Sequence, residues 1–73
     1  MENPAFDYYL QELEQRIILQ LAKVKGIDIA EAMDCYYRSR MAKQVSENLH
    51  DIAYLDSKYL ARDLIENEPE LFA

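Results

Sequence analysis

The sequence predicts an all-α fold, a small bundle of three to four helices in which residues 1–73 form a single helical domain. Three observations carry that expectation. Apolar residues recur at steps of three and four over most of the 73 residues. Helix starts and stops punctuate the pattern at Asn3–Pro4, Gly26 and Asp28. No stretch alternates apolar and polar residues as a half-buried strand does.

The first helix is expected from Pro4, because the Asn3 side chain can accept from free amides of the opening turn and proline at the first helical position gives up no needed hydrogen bond. Phe6, Leu10, Leu13, Ile17, Leu21 and Val24 then form one apolar stripe, with Tyr9 and Gln20 beside it. Acids at Asp7, Glu12 and Glu14 precede bases at Arg16, Lys23 and Lys25, the order that complements a helix dipole. Gly26 supplies a left-handed stop after Lys25.

A tight αα-corner is expected at Gly26–Glu31. Asp28 can cap the second helix, Glu31 can reach back three residues, and Ile27 can staple against it. Ile29, Ala32, Met33, Tyr36 and Tyr37 give that helix an apolar face, leaving Glu31, Asp34 and Arg38 toward solvent. The pattern weakens at Ser39 and Arg40, which predicts a break. Met41, Val45, Leu49 and Ile52 resume helical spacing and predict a third helix over Met41–Ala53. Asp56 or Ser57 can cap a last helix carrying Tyr59, Leu60, Leu64 and Ile65, which ends near Asn67 because Glu68 precedes Pro69. The tail frays unless Leu71 and Phe72 find a slot. The expected core is Leu10, Leu13, Ile17, Leu21, Ile29, Met33, Val45, Leu49, Ile52, Leu60 and Leu64.

Charge narrows the function classes. A net charge of −6 opposes binding to a polyphosphate backbone, so nucleic acid is disfavoured. One cysteine allows no internal disulfide, which makes a reducing cytoplasm the expected compartment. The apolar run Ile17–Val24 is too short to cross a membrane, and the acidic N-terminus does not resemble a signal peptide.

His50, with Asp51 beside it, and Cys35 are the residues from which nucleophilic catalysis could be built. Nothing in their spacing brings them together. His50 reads better as a capping or inter-helix hydrogen-bonding group, and Cys35 as a small apolar filler. One His and one Cys cannot close a zinc site, and the carboxylates lack calcium-loop spacing. The expectation is therefore no catalytic residues, no metal, no cofactor and no small-molecule substrate.

Six tyrosines point instead to a protein partner, since tyrosine joins a large rigid contact area to a polar tip. Only one ring of each pair, Tyr8–Tyr9 and Tyr36–Tyr37, can face the core directly. Tyr8 and Tyr37 are the candidates for exposed contact. Asp63, Glu66, Glu68 and Glu70 read as a solvated acidic face, of which Asp63 and Glu66 are candidates for docking a basic partner. A homodimer is equally open, because the stripe of the first helix can be covered by its own chain or by a copy.

The competing class is a small DNA-binding regulator. Leu21, Ala22, Gly26, Ile27 and Ile29 fit a helix-turn-helix pattern loosely, with Arg38 and Arg40 to attract phosphate and Glu31 and Asp34 to repel it.

The segments LAKVKGIDIAEAMDCYY, Leu21 to Tyr37, and NLHDIAYLDSKYLARDLI, Asn48 to Ile65, resemble a domain-of-unknown-function family of short helical bacterial proteins. Gly26, Glu31 and Ala32 match its turn and EA-bearing helix; Leu49, His50, Tyr59, Leu60, Asp63 and Leu64 match its later segment. Asp51, where a Thr often follows the His, and Ser39–Gln44 depart from it. Members are often encoded near ADP-ribosyltransferase-like toxin genes, so the resemblance implies an antitoxin-like or accessory partner role. It transfers no catalytic residues.

Overall fold

The computed structural model describes residues 4–73, apart from the side chains of Pro4, Leu49 and His50. It is an all-α bundle of four helices: α1 (Pro4–Lys25), α2 (Ile29–Arg38), α3 (Arg40–Ser46) and α4 (Ser57–Asn67). Two 3₁₀ turns, Leu49–Tyr54 and Pro69–Phe72, join and close them, and there is no strand among the described residues. The Asn3 cap lies outside the described residues.

Helix α1 forms the spine and packs chiefly against α4 and α2. Its stripe supplies Leu13, Ile17 and Leu21 to a core completed by Tyr36, Met41, Val45, Ala53, Leu60 and Leu64. Phe6, Leu10, Ile52 and Ile65 pack against that core as half-buried neighbours. Val24, at the end of the expected stripe, is exposed: its position points past the end of the core.

The corner forms as the sequence requires. Gly26 adopts φ 65°, a left-handed geometry that costs most L-residues steric strain. Asp28 accepts from the Glu31 amide at 2.7 Å, capping α2. The reciprocal bond from the Glu31 side chain does not form. The expected break falls at Ser39, whose extended backbone separates α2 from α3 and whose hydroxyl accepts from Ala42.

The third helix is shorter than Met41–Ala53. It stops at Ser46, because Asn48 turns left-handed at φ 50° and its side-chain oxygen accepts from the Ala53 amide at 3.0 Å. Asn and Asp tolerate this geometry, and Asp51 repeats it at φ 59°. The local side-chain bond thus replaces a helical continuation.

Two further expectations are corrected. Ile29 and Met33 are not core residues: both are exposed, because α2 turns Ala32, Cys35 and Tyr36 inward instead. Glu68 is not part of a solvated face. Only 6% exposed, its carboxylate accepts from the backbone amides of Arg40 at 3.0 Å and Met41 at 3.4 Å. With Ser39 it serves the free donors of α3's first turn, which helix geometry leaves without partners. The tail docks: Leu71 and Phe72 are half-buried, Cys35 donates to the Leu71 carbonyl, and the Lys25 ammonium lies 5.3 Å from the Phe72 ring centre.

Candidate partner-binding surface

Helices α1 and α2 run in opposite directions across the corner, and the residues that face outward along their shared edge build the surface. On α1, Tyr8, Gln15 and Leu19 follow steps of seven and four and share one stripe. On α2, Ile29, Met33 and Tyr37 follow two steps of four. The stripes meet where Gln15, Ile18, Leu19, Ile29 and Met33 line an open trough of about 290 Å³. Of the six stripe residues only Gln15 is a polar amide. Tyr8 is 71% exposed, Leu19 53%, Ile29 44%, Met33 44% and Tyr37 58%, so the apolar character faces water. Such a grouping marks a contact surface better than any one exposed apolar residue does.

Glu14 organises the far end of this face. Its carboxylate accepts from the Tyr36 hydroxyl at 2.8 Å, holding the fully buried Tyr36 ring against α1. Burial, reinforced by the Glu14 bond and charge, pushes the Tyr36 hydroxyl pKa well above its ordinary value. The Tyr37 ring meets Tyr36 edge-on, with centroids 5.1 Å apart. Its own pKa is raised by partial burial and then by the Glu14 charge, so the phenol presents a proton donor.

The four candidate contact residues divide among three places. Tyr8 and Tyr37 belong to the α1 and α2 stripes just described. Asp63 is half-buried on α4, where its carboxylate accepts from the Asn67 amide at 2.8 Å, in a trough shared with Arg40 and Glu68. Glu66 is exposed on another side of α4, in a trough with Val24, Lys58 and Arg62. They do not form one acidic surface.

A separate aromatic cluster packs where α1 begins. Phe6 and Tyr9 stack at 6.1 Å, Tyr54 lies 6.2 Å from Tyr9, and the Tyr9 hydroxyl donates to the Ala53 carbonyl at 2.6 Å. This contact ties α1 to the first 3₁₀ turn.

Cys35 is buried, and its thiol donates to a tail carbonyl 3.2 Å away. The His50 side chain lies outside the described residues. Among the described residues, no group of three or more His, Cys, Asp or Glu is placed to hold a metal ion, and no helix is long and apolar enough to cross a membrane.

Leu19, Ile29 and Met33 are the surface residues that sequence reasoning missed. The signal for Leu19 was its position off the main stripe; for Ile29 and Met33 there was none, since an interface and a core use the same side chains. Comparison with family models, with curated proteins and with solved structures finds no match.

Proposed function

We propose that this chain is a noncatalytic protein-interaction module, an antitoxin-like or accessory partner protein working in the cytoplasm, and that it engages protein through the α1/α2 face. The observation that carries the reading is the gathering of Leu19, Ile29, Met33 and Tyr37, all exposed, beside one trough. Large apolar and aromatic groups around a shallow concavity suit a protein surface, where rigid rings and methionine supply contact at low entropic cost. A small helix-turn-helix regulator is supported less well. In α2 the exposed residues Ala30, Glu31, Met33, Asp34 and Tyr37 offer neither the cations nor the base-reading amides that a recognition helix needs, and exposed Arg38 is engaged by Asp34 at 3.1 Å.

The test is site-specific photocrosslinking in the native cell. A photoreactive phenylalanine placed at Tyr37 or Met33 is expected to give a discrete protein adduct, and the same group at exposed Glu47 none. Absence of an adduct at both face positions removes the proposal. Crosslinking to DNA, with retention on nonspecific duplex that falls steeply with salt, transfers it to the regulator reading.

A further inference from the structure

We infer that the occupant of the α1/α2 face is a second copy of this chain, paired antiparallel about a two-fold axis near Leu19. This rests on reading that face as protein-binding and assigns its partner.

A two-fold interface must be complementary to itself, so whatever lies at one end of the patch meets what lies at the other. The face satisfies that condition. Its centre is apolar: Leu19, Ile29 and Met33 surround the trough. Along α1 the acids Asp7, Glu12 and Glu14 all precede the bases Arg16, Lys23 and Lys25. Near the exposed stripe this leaves Glu12 toward one end and Lys23 toward the other. The point midway between Glu12 and Lys23 lies within about 3 Å of Leu19, at 1.5 Å per residue along the helix. One axis therefore brings Glu12 of each copy to Lys23 of the other and superposes the apolar centres, while Arg16, as near that midpoint as Leu19, meets its own copy and opposes the pairing.

The charges are available for this pairing. Among the described residues Lys23 has no ion-pair partner, and Glu12 holds only Arg16, at 3.7 Å in an exposed contact. A carboxylate has acceptor positions left for a second cation. Parallel pairing instead sets acid on acid and base on base.

The face is small. Along α1 it runs about 22 Å from Tyr8 to Lys23, but α2 flanks it only from Ile29 to Tyr37, about 12 Å. At about 9 Å per helix the projected area is near 300 Å², below the roughly 500 Å² per partner of a stable specific interface. The pairing is therefore expected to be weak and reversible, appearing toward the upper end of the concentration range.

Sedimentation equilibrium of the purified chain, followed from about 1 µM to about 0.5 mM, reads the association. The expected result is a concentration-dependent rise from 8.6 kDa to twice that mass. Leu19→Glu with Met33→Glu is expected to weaken association at least tenfold while helicity is kept, since both side chains are already exposed. Glu12→Lys and Lys23→Glu are each expected to weaken it a few-fold, and the double exchange to restore it. In a Cys35→Ala background, Leu19→Cys is expected to crosslink to itself across the axis.

A monomer throughout the range overturns the inference, as does a dimer indifferent to Leu19→Glu with Met33→Glu, or charge effects that add without rescue. A monomer that still gives a heterologous adduct in the photocrosslinking experiment overturns the self-pairing alone. A monomer that gives no adduct overturns the functional reading as well.

Discussion

Replacing Glu68 by Ala removes a contact that spans 28 residues of chain and fastens the end of α4 to the start of α3. The bond from the Arg40 amide, at 3.0 Å, is short and charge-assisted, a class worth about 1.5–3 kcal/mol. The Met41 bond is longer, at 3.4 Å, but its amide is buried and loses its partner in the variant; an unsatisfied buried donor costs about 1–3 kcal/mol. The Arg40 guanidinium, 3.7 Å away and 72% exposed, adds little. The bonds overlap, so a destabilisation of about 2–4 kcal/mol is expected rather than their full sum. A chain of 73 residues at ordinary stability has roughly 4–11 kcal/mol in total, so the variant forfeits a large fraction. At about 4–8 °C per kcal/mol for a domain of this size, Tm falls by roughly 8–32 °C. Glu68→Gln, which keeps one acceptor but turns an NH₂ group toward an amide, is expected to lie between wild type and alanine. Thermal and urea unfolding followed by circular dichroism measures all three. A Glu68→Ala protein within about 0.5 kcal/mol of wild type shows that the carboxylate does not hold α3, and the reasoning fails.

Tyr36 is expected to stay protonated in the folded chain at alkaline pH where a free phenol ionises, so ultraviolet titration shows a late tyrosinate that appears only with unfolding. Its folded pKa lies above the unfolded value of about 10, so the associated stability is intact below pH 10 and declines above it, by at most about 1.4 kcal/mol per pH unit from this group. A stability flat to pH 11 counts against that burial. Gly26→Ala meets no atom within 4 Å of the added Cβ, so only the left-handed backbone at φ 65° is penalised, at about 1–2 kcal/mol in denaturant melts; no loss there refutes the αL stop. Tyr9→Phe keeps the ring cluster but removes the bond to Ala53, and a loss of about 1 kcal/mol is expected in the same assay.

What could be read from the sequence was what depends on neighbours a few residues away. The corner is an example: Gly26, Asp28 and the amide of Glu31 meet within one turn of chain, so residue type and spacing decide the outcome. The break at Ser39 followed for the same reason. Glu68 did not, because its partners Arg40 and Met41 are remote in sequence, and an acidic residue among Asp63, Glu66 and Glu70 carries no local mark of burial. The third helix was overextended because Leu49 and Ile52 keep helical spacing, while the Asn48 side chain offers the Ala53 amide a competing partner that an apolar pattern cannot register. Of the candidate surface, the two exposed tyrosines were legible from their pairing with inward rings. The Asp63 carboxylate accepts from the Asn67 amide one turn on, a bond that the acidic character of the segment does not announce.

Ile29 and Met33 show most clearly how an apolar pattern can be sound and its assignment wrong. Helix α2 carries two adjoining apolar edges, Ala32–Cys35–Tyr36 and Ile29–Met33–Tyr37, and only one can lie against α1. The first prevails because Ala32 permits close approach, Cys35 reaches the tail carbonyl of Leu71, and Tyr36 finds a hydrogen-bond acceptor in Glu14 as it is buried. The second is left open, with none of the other described elements packed over it. Helix α1 has 22 residues, about 33 Å at 1.5 Å per residue, whereas α2 and α4 have 10 and 11, about half that length. The short helices occupy two flanks of the spine and the tail closes a third position beside Cys35, giving a body 39 Å long and only about 20 Å across. An elongated spine with short partners cannot enclose both of its apolar edges. The open one is therefore a consequence of the element lengths, and it leaves Leu19, Ile29, Met33 and Tyr37 exposed on the α1/α2 face.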